Sequence, residues 1–336
     1  MSARRSPLSS ADIDALFAPF GRAKALLIAV SGGPDSTALV VMAAEWAKRR
    51  GGRTRIEAAT VDHGLRPESA EEARAVARLC ARLKVGHRVL QWTGAKPATR
   101  LQERAREARY RLLVDHAKAV GADALITAHH ADDQAETVLF RLLRGSGVAG
   151  LRGMDAVTAR DGMTIARPLI ALRKRDLVAF ANARGAPFID DPSNADPRFA
   201  RTRLRALLAR LGAEGLDAQA LDRLARRAGE TEEALAYLTA EVEARLGSEG
   251  ALDARALFAA PVAITRRILA RRIAEAGGRD LSRIGLEKIE ALAANLGEAL
   301  KERRAHGANV GGALIRLSAK GRLTFAPEPP RSGARR

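Results

Sequence analysis

The chain has 336 residues, 47% hydrophobic but only 4% aromatic, and its 57 Lys and Arg against 39 Asp and Glu leave a formal charge of +18. That length suits two domains, and so large a basic excess points to a polyanionic partner. A single cysteine, Cys80, excludes an internal disulfide, a four-cysteine zinc site and a CxxC redox pair.

No apolar run is long enough to span a bilayer, and the basic, serine-containing start Met1 to Ser10 leads into no secretory segment. A cytoplasmic protein with no membrane and no disulfide partner is expected. Ala25 to Val30 reads as a buried strand and Ser36 to Arg50 as an amphipathic helix. Between them runs Ser31-Gly32-Gly33-Pro34-Asp35-Ser36-Thr37. A strand, a glycine turn and a helix start place several backbone N–H groups at the positive end of a helix, where an oxyanion binds. Gly32 and Gly33 admit a phosphate close to the main chain, and Ser31 and Ser36 add hydroxyl donors. Asp35 would repel that phosphate unless a divalent cation lay between them. No lysine follows the glycines, so this is not a kinase-type P-loop. The Ser-Gly-Gly turn alone would equally fit an ordinary helix start capped by Asp35 or Ser36, but the full heptapeptide after a buried strand favours the phosphate site.

Further strands are expected at Ile56–Val61, His87–Trp92 and Ala124–Ala128. Helices are expected at Ser69–Lys84, Thr99–Val120 and Asp132–Leu143. Cys80 falls in the first of these between apolar Leu79 and Leu83, the setting of a small buried hydrophobe. A fifth strand lies within Met163–Leu169, a helix spans Arg173–Arg184, and Pro187 to Pro197 is a loop rich in Asp, Pro and Asn. This alternation implies an α/β fold, a Rossmann-like parallel sheet with helices on both faces. Ligands bind such sheets beyond the carboxyl ends of the strands. Ser31-Gly32-Gly33, Asp62-His63-Gly64 and His129-His130 all fall there and should face one crevice.

The composition changes near Gly212. Leu216–Leu246, Pro261–Gly277 and Leu281–Leu296 read as helices, broken at Gly247–Gly250. Val310 to Phe325 could form a short hairpin through Ala319-Lys320-Gly321. The expected division is a catalytic domain over 1–212, a smaller, mostly helical C-terminal domain over 213–326, and a disordered basic tail over 327–336. The basic charge is clustered: Arg198, Arg201, Arg203, Arg205 and Arg210 lie in a run with no acid.

A second constellation, His129-His130-Ala131-Asp132-Asp133-Gln134-Ala135-Glu136-Thr137, opens a helix after a strand. Asp132 and Glu136 share a face, and Asp133 with Glu136 imitates a capping box. Two imidazoles beside these carboxylates also suit a magnesium-bound triphosphate, with imidazole touching phosphate or orienting substrate.

The Ser31 to Ser36 run resembles the signature of the PP-loop ATP pyrophosphatases. The ordered set from Ser31 to Arg205 resembles the tRNA(Ile)-lysidine synthetase family. It comprises that run, Val61-Asp62-His63-Gly64-Leu65-Arg66, Ala105-Arg106-Glu107-Ala108-Arg109-Tyr110 and the His129 block. It continues through Arg144-Gly145-Ser146-Gly147 with Gly150-Leu151, Arg167-Pro168-Leu169, Asp191-Pro192-Ser193-Asn194 and Arg201-Thr202-Arg203-Leu204-Arg205. Thr202 stands where that family usually has Asn.

The resemblance implies a ligase that uses ATP and Mg²⁺, with two further partners: free L-lysine and an isoleucine tRNA carrying an unmodified wobble cytidine. ATP would adenylate the C2 oxygen of that cytidine, and the lysine ε-amine would then displace AMP. On that reading Ser31, Gly32, Gly33, Pro34, Asp35, Ser36, His63 and His130 bind the nucleotide, and Asp35 holds the metal. Asp35, Asp132 and Asp133 are the catalytic candidates, with Asp132 first and Asp133 second for the lysine amine. Arg109, Glu136, Arg201 and Arg205 are the substrate-binding candidates, with a phosphate favoured as the partner of Arg205. A tRNA thiolation enzyme could share the PP-loop, but such enzymes use clustered cysteines. A non-catalytic RNA-binding protein would explain the charge and leave the loop and carboxylates without purpose.

Overall fold

The computed structural model describes residues 8–64, 69–94, 101–189, 200–246, 251–279 and 284–329, excluding the side chains of residues 101, 102 and 200. The chain divides into two compact units, Met1–Ala228 and Gly229–Arg336.

The first unit begins with α1 (Ser10–Phe17) and a 3-10 turn (Ala18–Phe20). Then follow β1 (Ala25–Ala29), α2 (Pro34–Arg49), β2 (Arg55–Asp62), α3 (Ser69–Arg82), β3 (Gly86–Gln91), α4 (Leu101–Ala119) and β4 (Ala124–Ile126). After these come α5 (Ala131–Leu142), α6 (Val148–Leu151), β5 (Val157–Arg160), β6 (Met163–Ala166), α7 (Lys174–Ala183), α8 (Ala200–Ala213) and the start of α9 (Ala218–Leu246). The sheet order is β3-β2-β1-β4-β6-β5. All neighbours pair in parallel except β5 with β6.

Alternation along β1 explains the two helical layers. Leu26 and Ile28 enter a core with Met42 and Trp46 of α2, Val76 and Leu79 of α3, and Phe180 of α7. Leu27, between them, packs on the other face with Tyr110, Leu113 and Val114 of α4. A central strand apolar at every position is what burial on both faces requires. β1 lies between β2 and β4, so the strand order reverses there, and the crevice beyond their carboxyl ends is the natural ligand position.

Among the elements of this unit that the sequence reading did not anticipate, α1, the 3-10 turn, α6, β5 and α8, the last two bear most on the sheet and the site. β5 is an added antiparallel edge strand, turned into β6 by Asp161 and Gly162, both at positive φ (50° and 76°). Its four residues are too few to reveal a period. The arginine-rich segment after position 200 is helix α8, built from Ala, Leu and Arg, all strong helix formers. Leu204, Leu207, Leu208 and Leu211 pack it with Val138 and Leu139 of α5 and with Leu221 of α9.

The second unit contains the rest of α9, then β7 (Leu252–Asp253), α10 (Ala254–Ala259), α11 (Val262–Gly277), α12 (Leu286–Lys301), β8 (His306–Val310), β9 (Ala313–Leu317) and β10 (Arg322–Pro327). The expected hairpin is present as β9 and β10, but it belongs to a four-stranded antiparallel sheet, β7-β10-β9-β8. Gly311 and Gly312, at φ 63° and 85°, turn β8 into β9, ahead of the hairpin the sequence suggested. β10 reaches Pro327, and the Glu328 N–H donates to Gly312 O at 2.8 Å, so ordered pairing enters the segment expected to be tail. Residues 330–336, Gly247–Gly250, Leu65, Arg66, Arg198 and Asp191-Pro192-Ser193-Asn194 lie outside the described residues. No helix among the described residues is long and apolar enough to cross a membrane.

Candidate active site

The loop between β1 and α2 is braced by its own serines. The Ser31 N–H donates to Ser36 Oγ at 3.1 Å, and Ser36 Oγ donates to Gly33 O at 3.1 Å. Gly33 caps α2 in an extended conformation with Pro34 in the first turn. The first-turn N–H groups of a helix have no carbonyl of their own helix to bond, so they are directed at whatever occupies the loop. Gly32 sits at φ +88°, and a Cβ there would come 3.3 Å from both Ile189 Cδ1 and Val76 Cγ2. The Ile189 N–H also bonds Gly32 O at 2.9 Å. Both the dihedral and the crowding favour glycine.

Asp35 projects from the first turn of α2. Its Oδ2 lies 3.4 Å from His130 Nε2, while Oδ1 is buried and has no hydrogen-bond partner. His130 is 3% exposed and caps α5. Its Nδ1 accepts from the Asp133 N–H, and Asp133 Oδ2 accepts from the His130 N–H at 3.2 Å. The capping box is therefore His130 with Asp133, one turn earlier than the sequence suggested, which leaves Glu136 for another role. Burial lowers the affinity of the His130 ring for a proton. The Asp35 hydrogen bond and the charges of Asp133, Asp35 and Asp132 outweigh burial, and its pKa is raised.

Asp132 is otherwise engaged. Its Oδ2 accepts the Lys174 N–H at 2.7 Å, and Oδ1 lies 3.3 Å from Arg173 Nη2. It thus supplies the N-terminal cap that α7 lacks from its own cap residue, Arg173. Glu136, 5% exposed, receives Arg205 Nε on Oε1 at 2.5 Å, and its buried Oε2 has no partner. The arginine run that shows no acid in sequence finds one across α5. Arg205 also feels Asp133 and Asp35.

The opposite flank is cationic. Arg109 of α4 donates to His63 Nε2 at 3.3–3.4 Å, and His63 stands edge-on to Trp92. Burial of its head group, with Arg106 and Arg201 nearby, lowers the Arg109 pKa, partly relieved by Tyr110, although the residue as a whole remains exposed. His129 accepts or donates at Nδ1 with Thr127 Oγ1 at 2.9 Å. Burial, then Arg167, Arg106, Arg201 and His130, push its pKa down to about 3.

The structure thus gathers Asp35, His130, Asp132, Asp133, Glu136 and Arg205 into one acidic group beside the Ser31–Ser36 loop. His63, Arg109, Arg201 and His129 form the adjoining basic group. Sequence reasoning assigned no role to Arg106, Arg167 or Arg173. Arg167, at the end of β6, is 8% exposed and donates to Asp155 O and Thr158 Oγ1. Its place after a strand of the same sheet was the available signal.

Mg²⁺ is usually held by one or two carboxylates together with substrate phosphates and water. The orphaned Asp35 oxygen beside the loop fits that use. Among the described residues no group of three or more His, Cys, Asp or Glu forms a metal cage.

Residues 7–211 match the family model described as a PP-loop domain. The chain is 50% identical to the tRNA(Ile)-lysidine synthase of Methylobacterium nodulans, covering 93% of this chain and 92% of that protein. It is 47% identical to that of Rhodopseudomonas palustris, covering 97% of each. The figure is 45% for that of Bradyrhizobium sp. strain BTAi1, covering 97% of this chain and 96% of the relative. Among solved structures, the U34-tRNA thiolase NcsA from Methanococcus maripaludis overlays with a TM-score of 0.54 at 16% identity, over 64% of this chain and 77% of that one, a likeness of fold alone.

Proposed function

The chain belongs to the tRNA(Ile)-lysidine synthase family, and on that premise we propose how its residues divide the work. The enzyme is an ATP-using ligase. The C2 oxygen of the wobble cytidine attacks the α-phosphorus of ATP and pyrophosphate leaves. The lysine ε-amine then bonds to C2, loses its proton, and AMP departs with the oxygen.

The Ser31–Ser36 loop and the first turn of α2 bind the phosphates, where backbone donors meet the charge that builds on pyrophosphate. Asp35 and the phosphates would hold Mg²⁺, which when bound neutralises that charge. The observation that carries this reading is the Asp35 carboxylate, buried on one oxygen and fixed by His130 on the other, at the mouth of the loop.

Lysine arrives as an ammonium with a pKa near ~10.4 and must be deprotonated to attack. Asp132 spends both carboxylate oxygens on α7, at the Lys174 N–H and Arg173, whereas Asp133 spends Oδ2 on the α5 cap and the His130 ring, so Asp133 Oδ1 is the better acceptor for that amine. Glu136, steadied by Arg205 on one oxygen, keeps Oε2 for a substrate N–H. His130 bridges the carboxylates and orients them. His63 and Arg109 hold nucleotide or tRNA phosphate on the basic flank, together with Arg201. The anticodon loop suits the site because its bases are unpaired and can be enclosed. The setting proposed is the cytoplasm, where tRNA is modified.

Pyrophosphate release tests this. It should require ATP and the isoleucine tRNA together. Release with ATP alone, or none with both, counts against it.

A further inference from the structure

We propose that the groove between α5 and α8, one helical turn beyond Glu136, is a subsite for an unpaired nucleobase flanking the wobble cytidine. The inference rests on the tRNA reading above and deepens it.

The groove is a cavity of about 290 Å³ lined by Phe140, Leu143, Arg144, Arg203, Leu204 and Leu207. That volume lies at the small end of ligand pockets, about 300–1,000 Å³, and suits a single ring system better than a whole nucleotide. Phe140 is four residues after Glu136, so both lie on one face of α5. Leu204 directly precedes Arg205 on α8. The groove therefore opens within one helical turn, about 6 Å, of the Glu136–Arg205 pair, on the neighbouring face of α8.

Its walls have the chemistry that unstacked bases use. The Arg144 guanidinium lies 4.0 Å from the Phe140 ring centroid. Pinned in this way, it offers a flat cationic plate at the surface. Bases splayed from RNA loops stack on such guanidinium planes and on aromatic rings. Leu143, 59% exposed, provides an apolar edge whose exposure is otherwise unexplained. Arg203 and Arg144 at the rim match the backbone phosphates on either side of the base. An apolar floor bounded by two arginines is complementary to an anionic strand carrying flat apolar rings.

The test is filter binding of an anticodon stem-loop RNA with cytidine at the wobble position, intact or with an abasic residue on its 5′ or 3′ side. Wild-type protein should lose roughly tenfold in affinity for one of the two abasic RNAs, the usual size of a lost stack. Arg144→Ala and Phe140→Leu should lose the same factor on intact RNA and nothing more on that abasic RNA. Arg144 is exposed, so its variant should keep the wild-type melting temperature. Equal abasic penalties in wild type and both variants would overturn the proposal. So would unchanged binding of intact RNA, which would leave the groove to a protein partner or a second copy. Lysine incorporation by the wild-type enzyme separates the two claims. Incorporation without base coupling removes only this subsite, whereas no incorporation removes the lysidine reading itself.

Discussion

His129 and His130 are adjacent in the chain and titrate in opposite directions. His130 faces Asp35, Asp132 and Asp133 and its pKa is raised. His129 is partly buried among the charges of Arg167, Arg106 and Arg201, and its pKa is pushed down to about 3. One strand end thus separates an acidic compartment, suited to metal and amine, from a basic one suited to phosphate.

The low pKa of His129 makes stability depend on pH. Its folded pKa lies below its unfolded value near ~6.5, so the unfolded chain takes up the proton first. Stability is full above that value and falls as pH drops toward 3, by up to about 1.4 kcal/mol per unit from this residue. Urea unfolding between pH 7 and 4 should show a shallower loss for His129→Asn than for wild type. Parallel curves would refute the assignment.

Arg205 and Glu136 should be unequal partners. Arg205→Ala strands a carboxylate whose side chain is 6% exposed, whereas Glu136→Gln leaves a guanidinium that is 39% exposed. The first should cost about 2 kcal/mol, below the full cost of breaking a buried pair because Arg205 is partly solvated, and the second under about 1 kcal/mol. Denaturant midpoints measure both, and the reverse order would contradict the pairing.

Asp132 and Asp133 separate by function. Asp132→Ala removes the cap of α7 and should cost about 1 kcal/mol of stability, with the KM for lysine unchanged. Asp133→Asn should raise that KM by at least about tenfold, the scale of one charge-assisted contact. Steady-state kinetics with varied lysine decides between them, and a raised KM in Asp132→Ala would reverse the roles.

Cys80 should be inert. It is fully buried, and burial pushes its thiol up to about 11. At pH 8 only ~0.1% would be thiolate. Iodoacetamide should label the native protein far more slowly than the denatured one, and Cys80→Ala should retain lysine transfer. Loss of transfer in a folded variant would point to sulfur chemistry instead.

Much of the first unit was legible because its signals are local. β1, α2 and the loop between them announce themselves by an apolar run, two glycines and a 3.6-residue period. The positions of Asp35 and His130 at neighbouring strand ends follow from that alternation. Long-range pairings were not legible. Glu136 and Arg205 are 69 residues apart, and nothing near Arg205 reveals its acid. Asp132 looked available for substrate because its partners, Arg173 and Lys174, come from a helix beyond β6. The strands β5 and β7 carry too few residues to display a period, and β8, His306-Gly307-Ala308-Asn309-Val310, has too little apolar character to read as a strand.

The most direct measurement incubates the protein with ATP, Mg²⁺, labelled lysine and isoleucine tRNA transcripts bearing C or U at the wobble position. Lysidine formation predicts one lysine incorporated per AMP formed, with C only, and none from Asp35→Asn although tRNA still binds. Equal labelling of the U transcript, AMP formation without lysine transfer, or a fully active Asp35→Asn would contradict it.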